Sequence, residues 1–354
     1  MFIKKKSKPL KLLFICSILP PHTGGAALQG SYILSTFSRK FRSEFNQISV
    51  LTERGCTIKS NNTLRIHSIL FNYDSVESQD KIFIKQLINY LIIIFYILFT
   101  RKDIIHIHAR YVYAKYIGNI IWLSLLLSPS KVIIDIQDRF YNNFRFGHNF
   151  VVCSEELLEY YSWLKRKFFI PMPAKFPKIE DKRFKHKVAY FGEITSNKGV
   201  IELINGYKKY LKDTDNPLEL HFYGSNTLGK IFKEMIKNIA KIKYLGVIPH
   251  NRIFDKILEY KAVILPSKFE GLPRICLETM YCNRIIVCHK SIKQITPYLS
   301  DQFILGDFTP KTIKSVLFKI ESYDKQITYD YNFTIHSPEK TCGKLINLYR
   351  RIIK

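Results

Sequence analysis

The stretch that decides the fold is "KAVILPSKFEGLPRICLETMY", residues 261–281. It opens with an apolar run, which is typical of a strand covered on both faces in a parallel sheet. Glycine and proline then mark a loop over 267–272. Pro273 suits the first position of a helix, because the N–H that proline lacks would be unsatisfied there. Strand, loop and helix in this order predict one unit of a parallel α/β fold.

Two glutamates, Glu270 and Glu278, stand eight residues apart in this stretch. The amides from Leu272 to Ile275 would be free donors at the positive end of the helix dipole, which makes a pocket for a phosphate or diphosphate. Glu278 is five residues past Pro273, which is roughly 7.5 Å along the helix axis at about 1.5 Å per residue. That distance suits ribose hydroxyls, from which a carboxylate accepts bidentately. Glu270 would face a sugar on the other side of the phosphate; the alternative is that both carboxylates are solvated.

The alternation of strands and helices continues on both sides of this stretch. A segment rich in proline and lysine predicts a linker over 171–187, between an N-terminal domain at 1–170 and a C-terminal domain at 188–334. Both domains are predicted to contain a parallel sheet, and ligands bind at the carboxyl ends of such strands. The predicted strands cover 11–18, 46–52, 64–70, 103–109, 131–138, 150–154, 188–194, 218–225, 242–247, 262–266 and 284–288.

A second phosphate element is predicted in "YFGEITSNKGVIELI", residues 190–204. Gly192 ends a strand there, and Lys198 precedes a glycine that opens a helix. A lysine at a helix N-terminus is unfavourable for the dipole, so its position indicates an anion bound between it and the helix. Gly224, in "HFYGS", would let a ligand approach the backbone closely.

The first half offers a glycine loop and a pair of histidines. Gly24 and Gly25, in "PPHTGG", would let the loop after the first strand approach a ligand, although an ordinary turn remains the alternative. His106 and His108 are two residues apart and share one face of a strand, either toward a ligand or as core histidines. Asp138 follows the next strand, where it could bind acceptor hydroxyls or cap a helix.

Composition limits the class of protein. The chain has 354 residues, is 47% hydrophobic and carries a formal net charge of +26, with the excess spread over both halves. Such a field favours anionic partners or is simply a solvated surface. Nucleic acid is not expected, because no helix-turn-helix, zinc-finger or RNA-recognition pattern is present. Seven cysteines without a Cys-x-x-Cys pair predict reduced, mostly buried thiols and a cytoplasmic location.

Two apolar segments, 82–99 and 120–127, are predicted to be helices. Both have apolar runs shorter than the span of about 20 residues that crosses a bilayer. The first is either a core helix or a helix lying on a membrane surface, with a transmembrane span the least favoured. The N-terminal apolar run imitates a signal peptide, but it ends at Pro20 and Pro21 and is better explained as a first strand. "DTD", residues 213–215, imitates a metal motif but lies in a turn, so no metal is expected.

The ordered motifs resemble those of the retaining glycosyltransferases of family 4, of the bacterial surface-polysaccharide type. "EGLPRICLE" matches their E-x7-E motif, and "YFGEITSNKG", "LHFYGS" and "PPHTGG" follow the family's order. The resemblance implies the GT-B fold, with two Rossmann-like domains facing across a cleft and a C-terminal helix, 335–354, that packs back on the N-terminal domain. It also implies that Glu278 binds the donor ribose, Lys198 the diphosphate and Glu270 the donor sugar.

The resemblance further implies a metal-independent hexosyltransferase without cofactor. Its substrates would be a nucleotide sugar and a glycan or lipid-linked acceptor. The basic composition and the apolar segment 82–99 give the further expectation that transfer takes place at the cytoplasmic face of an anionic membrane. The implied catalytic residues are His108, Glu270 and Lys198. The implied donor-binding residues are Gly24, Gly25, Gly192, Glu193, Lys198, Gly224, Glu270, Gly271, Leu272, Pro273, Arg274 and Glu278. The implied acceptor-binding residues are His22, His108 and Asp138.

The chain departs from the family pattern at Glu193 and, just after the second motif glutamate, at Thr279, Tyr281 and Asn283. Glu193 stands where the family usually has arginine, and Asn283 stands where it has glycine. Arg274 is a candidate for the missing diphosphate cation, unless it points to solvent. Three alternatives stay open at this point: a non-catalytic nucleotide-sugar-binding protein, a basic membrane- or nucleic-acid-associated protein, and a GT-B enzyme of the epimerase or phosphorylase type.

Overall fold

The computed structural model describes residues 8–22, 24–72, 79–108, 118–137, 148–180 and 183–354. The chain forms two compact units. The N-terminal unit comprises Met1–Lys175 together with Thr334–Lys354, and the C-terminal unit comprises Phe176–Phe333. Each unit is built on one sheet whose strands all pair in parallel. The predicted α/β class is therefore confirmed.

The N-terminal sheet has seven strands in the order β3-β2-β1-β4-β5-β6-β7. Because β1 and β4 are neighbours, the strand order reverses between them, and their carboxyl ends flank the place where α/β sheets bind ligands. The strands are β1 Leu10–Cys16, β2 Phe45–Glu53, β3 Leu64–Leu70, β4 Ile104–His108, β5 Lys131–Ile136, β6 Asn149–Val152 and β7 Lys167–Phe169. The helices before the second unit are α1 Gly25–Arg39, α2 Gln79–Phe99, α3 Gly118–Leu127 and α4 Glu155–Tyr160.

The C-terminal sheet repeats this arrangement with six strands, in the order β10-β9-β8-β11-β12-β13. Its order reverses between β8 and β11, the strands that precede the two predicted donor loops. The strands are β8 Lys185–Phe191, β9 Glu219–Tyr223, β10 Ile242–Tyr244, β11 Tyr260–Leu265, β12 Ile285–His289 and β13 Ile304–Leu305. The helices are α5 Val200–Tyr210, α6 Lys230–Ile236, α7 Ile253–Ile257, α8 Arg274–Tyr281 and α9 Pro310–Glu321.

Close packing of α5 on α9 depends on a glycine. A Cβ added at Gly206 would lie 2.4 Å from Ile313, closer than carbon atoms can approach. Val200, Leu203 and Ile204 of α5 are all fully buried in the same core. The helical spacing of these apolar residues explains why this segment buries one face on the sheet.

The last helix, α10 Pro338–Ile353, belongs to the N-terminal unit. Ser337 caps it by accepting a hydrogen bond from the Lys340 amide at 3.1 Å. Cys342 and Tyr349 are buried against α1, where the rings of Tyr349 and Phe37 lie 6.0 Å apart. The chain therefore returns to its first sheet after completing the second.

Several element ends differ from the sequence-based expectation. The predicted linker 171–187 includes the start of β8, because the Lys185 amide donates to the Glu259 carbonyl at 3.0 Å and Lys185 pairs with Tyr260 of β11. Pro273 is the residue before α8 rather than its first helical residue. The short strands β7 and β13 were not predicted, since two or three residues carry no readable alternation.

Candidate functional site

The loops after β8 and β11 meet at the carboxyl edge of the C-terminal sheet. Lys198 ends a short 3-10 turn after β8, and Glu270 lies in the loop between β11 and α8. The Lys198 Nζ is 2.6 Å from Oε1 of Glu270, and the two side chains are 29% and 17% exposed. The structure therefore brings together two residues, 72 positions apart, that were both predicted to contact the donor.

Gly199 explains why Lys198 lies at this edge. Gly199 has a φ of 70°, and a Cβ there would lie 2.5 Å from the carbonyl oxygen of Pro266. Only glycine combines the left-handed backbone with this close approach to the end of β11. Within the structure the anion that Lys198 contacts is Glu270, so a bound ligand is not needed to explain a lysine at the start of α5.

A second cluster surrounds Glu278 on α8. The Nε2 of His250 is 2.8 Å from Glu278 Oε1, and Nη2 of Arg274 is 3.5 Å from the same oxygen. Arg274 and Glu278 are four residues apart and share one helix face. The Arg274 side chain is only 10% exposed, so it turns toward Glu278 and does not point to solvent.

This cluster keeps Glu278 ionised. Glu278 is 4% exposed, and burial alone would raise the pKa of its carboxyl group. The hydrogen bond with His250 and the positive charge of Arg274 outweigh burial and hold that pKa below its ordinary value. A buried carboxylate whose partners hold it in one orientation is an oriented acceptor for hydroxyl groups.

A predicted glycine at this edge packs closely against the protein's own backbone. Gly224 has a φ of 137°, and a Cβ there would lie 1.8 Å from the carbonyl oxygen of Gly192. The expectation that Gly224 makes room for a ligand is thus corrected: the backbone that approaches it is the loop after β8. The neighbouring Glu193 is exposed, and its carbonyl oxygen accepts a hydrogen bond from the Tyr190 hydroxyl at 2.7 Å.

The loop between β11 and α8 is held by contacts from within the unit. The carbonyl oxygen of Gly271 accepts from Gln294 at 3.1 Å, and that of Pro273 accepts from the Cys276 amide at 3.1 Å. Leu272 is half-buried. Ser267 is 1% exposed, and its hydroxyl has no hydrogen-bond partner within the described part of the chain.

The corresponding edge of the N-terminal sheet carries a buried hydrogen-bond network. Asp135 on β5 contacts both histidines of β4, at 2.8 Å from Nε2 of His106 and at 2.5 Å from Nδ1 of His108. The Tyr349 hydroxyl of α10 contacts Nδ1 of His106. Burial alone would raise the pKa of Asp135, but the two histidines outweigh burial and hold it far below its ordinary value.

His106 is thus explained as a hydrogen-bonded core residue, and His108 is equally buried. The Nε2 of His108 lies 3.1 Å from the carbonyl oxygen of Ala26, which ties β4 to the start of α1. Gln29, Gln137 and His108 line a small pocket at this edge. His108 therefore lies near the glycine loop, and its predicted contact with the sugar stays a prediction.

The remaining predicted residues of this unit have different surroundings. Gly24 precedes α1 and has open space where a Cβ would be, while Gly25 is the first residue of that helix. The side chain of His22 is 44% exposed and lies 3.7 Å from Glu53. Asp138 lies outside the described residues.

No curated protein matches the chain in sequence. Residues 172–320 match the family model described as glycosyl transferases group 1. The whole chain also matches solved structures. Anabaena Alr3699/HepE in complex with UDP and glucose is 14% identical, with a TM-score of 0.61 over 97% of this chain and 98% of that one. The lipopolysaccharide outer core galactosyltransferase WaaB is 15% identical, with a TM-score of 0.58 over 97% and 99%. The fold is GT-B.

A further GT-B match is more limited in extent. The S. aureus TarM structure in complex with Fondaparinux, alpha-GlcNAc-glycerol and UDP is 15% identical, with a TM-score of 0.54. The match covers 75% of this chain, which spans 56% of the TarM chain. At these identities the matches show the fold alone.

His250 is the site residue that sequence reasoning missed in this GT-B chain. It lies in the 3-10 turn His250–Arg252, in the connection that follows β10. Applying the rule of carboxyl strand ends to β10 would have selected this connection. The predicted strand 242–247 extends three residues beyond the end of β10, so the sequence did not show that the connection begins after Tyr244.

Two groups resemble metal sites. Asp213 of the "DTD" turn forms an ion pair with Lys314, and Thr214 donates to Glu321 at 2.9 Å, so this turn is explained by packing on α9. His106, His108 and Asp135 offer ligand atoms within 4.8 Å of one another. Their short contacts with each other explain that spacing as a hydrogen-bond network.

Proposed function

We propose that the protein is a retaining glycosyltransferase of the family 4 type, which moves a sugar from a nucleoside-diphosphate sugar to a glycan. The proposal depends on two groups of side chains at the carboxyl edge of the C-terminal sheet. One is the Lys198–Glu270 ion pair, and the other is the cluster of His250, Arg274 and Glu278. Both lie on the loops and the helix that follow β8, β10 and β11. The match of residues 172–320 to glycosyl transferases group 1 covers these residues. UDP is the first nucleotide to test, because the HepE and TarM structures contain it.

In this proposal the donor is held by carboxylates at its hydroxyls and by cations at its phosphates. Glu278 accepts from the ribose hydroxyls, in the orientation that His250 and Arg274 impose. The first amides of α8 and the Lys198 ammonium bind the diphosphate. Glu270 then accepts from hydroxyls of the donor sugar. A diphosphate oxygen competes with Glu270 for Lys198, so donor binding loosens an existing ion pair.

Transfer with retention requires that the acceptor attacks from the face that the diphosphate leaves. The protein contributes positioning and stabilisation of the leaving diphosphate, and no protein nucleophile is needed. Lys198 and Arg274 supply positive charge at the leaving group, which is why we propose that no metal ion takes part. Arg274 would thereby compensate for Glu193 at the position where relatives carry arginine.

The acceptor is proposed to be a lipid-linked or cell-surface glycan, bound by the N-terminal unit in the cytoplasm. His22 and Asp138 are the proposed contacts, and the buried His108, held by Asp135 and the Ala26 carbonyl, is proposed to position the start of α1 near them. The structural match to a lipopolysaccharide galactosyltransferase supports an acceptor of this class. The His22 side chain is partly exposed, which suits a residue that contacts an extended glycan.

The test is a panel of nucleotide sugars measured by thermal shift and by donor hydrolysis. We expect a UDP-sugar to raise the melting temperature of the wild-type protein. Glu278→Gln should weaken donor binding about 10- to 100-fold, because a charge-assisted hydrogen bond contributes about 1.5–3 kcal/mol. Glu202→Gln, an exposed glutamate on α5, is the matched control and should bind normally. Wild-type affinity of the Glu278→Gln variant would show that the ribose role is wrong.

A second candidate function is nucleotide-sugar binding without transfer. It is favoured by one observation: Lys198 is already neutralised by Glu270, and exposed Glu193 adds negative charge beside the diphosphate position. Donor binding without hydrolysis or transfer to any glycan acceptor would favour this alternative. Turnover that Lys198→Gln lowers by at least tenfold would exclude it.

A further inference from the structure

Helix α2 presents a continuous apolar side to solvent. Ile84, Leu87, Leu91, Phe95 and Phe99 are between 42% and 71% exposed. They recur every three or four residues, so they form one stripe along the helix. Exposed apolar patches of this length on a protein surface mark an interaction site.

The opposite side of α2 is bound to the N-terminal unit. Ile93 and Ile97 are almost fully buried, and so is the polar side chain of Asn89. The Asn89 amide receives a hydrogen bond from the Phe71 amide at 2.7 Å and donates to the Phe71 carbonyl at 2.9 Å. This pair of bonds fastens the middle of the helix to the residue that follows β3.

These contacts decide between a membrane span and a surface helix. The segment Asp80–Phe99 contains an 18-residue window with a mean hydropathy of 2.1 and is long enough to cross a membrane. A spanning orientation would have to break the Asn89 contacts and place that amide among acyl chains, which is costly. A helix lying parallel to the membrane keeps Asn89 paired and places only the exposed stripe in lipid.

Helix α3 also exposes apolar side chains. Leu123, Leu126 and Leu127 are 48% to 67% exposed. Ser128, directly after α3, donates a hydrogen bond to the Ile97 carbonyl of α2 at 3.3 Å, so the two helices are neighbours. The stripe of α2 and these three leucines together are called the α2–α3 face below.

Positive charge lies at both ends of the stripe. Lys81 precedes it and Arg101 follows it, and both side chains are exposed. Such cations attract anionic lipid headgroups. The formal net charge of +26 opposes association of two copies and favours an anionic surface.

We propose that the α2–α3 face docks on the headgroup boundary of an anionic membrane, with its apolar side chains in the acyl region. This inference rests on α2, α3 and the flanking charges, and it is independent of the donor site. It adds a location to the proposed function, because a docked N-terminal unit would meet an acceptor whose lipid anchor lies in the same membrane.

The test is co-sedimentation of the full chain with vesicles of phosphatidylglycerol and phosphatidylcholine in equal parts, and of phosphatidylcholine alone. We expect binding to the anionic vesicles, weakened by high salt. Leu91→Ser combined with Phe95→Ser should weaken it at least tenfold while the melting temperature stays unchanged, because both side chains are exposed. Ile231→Ser combined with Val247→Ser, two exposed apolar residues of the C-terminal unit, is the matched control.

Two further readouts distinguish docking on lipid from association of two copies. Phe95→Trp should give a tryptophan emission that shifts to shorter wavelength on anionic vesicles only. Equal vesicle binding by the Leu91→Ser/Phe95→Ser variant and the wild type would overturn the proposal. A dimer in sedimentation velocity that this variant abolishes, without vesicle binding, would instead assign the face to a second copy. Donor binding is measured in parallel, so failure here is distinguishable from failure of the proposed reaction.

Discussion

The two sheets have the same strand order at their reversal points but different chemistry at their carboxyl edges. In the C-terminal unit the edge carries Lys198 and Glu270, whose side chains stay partly exposed. In the N-terminal unit the edge carries His106 and His108 around Asp135, all buried. A partly exposed ion pair can exchange its partner for a ligand, whereas a buried network mainly holds its own parts in place. The comparison indicates that one topology supports direct binding in one unit and positioning in the other.

The largest effect is expected from breaking the buried network. Asp135→Ala leaves two buried histidines without their shared acceptor and should lower the free energy of unfolding by about 3–5 kcal/mol. Glu270→Ala removes a partly exposed partner and should cost only about 0–1 kcal/mol. Urea denaturation of both variants measures the difference. If the two variants lose similar stability, the contrast between the two edges is mistaken.

A smaller loss of stability is expected at Gly224. Gly224→Ala forces a side chain into a positive-φ conformation and against the Gly192 carbonyl, and should cost about 1–3 kcal/mol. Gly229→Ala is the matched control, since Gly229 also has positive φ but has open space where the Cβ would be. Thermal unfolding should show Gly224→Ala to be the less stable variant. Equal stability of the two alanine variants would contradict the close packing of Gly224 against Gly192 and would favour the predicted role of Gly224 in making room for a ligand.

Folding stability should fall at acid pH because of one carboxylate in each unit. The pKa values of Asp135 and Glu278 are lowered in the folded protein. Their contribution is therefore present above their unfolded pKa values of about 4 and is lost as the pH falls below them. Urea unfolding between pH 7 and pH 3 should show this decline, and Asp135→Asn should make it shallower. A slope that is unchanged in Asp135→Asn would contradict the assignment to Asp135.

The smallest effect is expected at His250. His250→Ala removes one of the groups that lower the pKa of Glu278, so that carboxylate should protonate at a higher pH. Donor affinity should fall a few-fold at pH 7, since a single hydrogen bond contributes about 0.5–1.5 kcal/mol, and should fall further toward pH 5. His186→Ala, on the exposed start of β8, is the control. Parallel pH profiles for His250→Ala and wild type would leave His250 without a positioning role.

Local sequence patterns were sufficient for most of the fold. Apolar runs identified nearly every long strand, and Ser154 caps α4 as its position suggests, with its hydroxyl accepting from Leu157 at 3.2 Å. Element ends were less predictable, because pairing with neighbouring strands decides them. The start of β8 at Lys185 depends on the Glu259 backbone, to which the Lys185 amide donates at 3.0 Å. No local property of the segment before β8 encodes that partner.

The sequence alone determined the α/β class, the alternation of strands and helices, and the positions of the two motif glutamates after a buried strand. Only the tertiary structure decided which charges meet. Lys198 reaches Glu270 across 72 residues, and His250 reaches Glu278 across 28. The contact of Tyr349 with His106 spans 243 residues. Local propensity acts within a few residues, whereas these contacts depend on strand order and on the return of α10 to the first sheet.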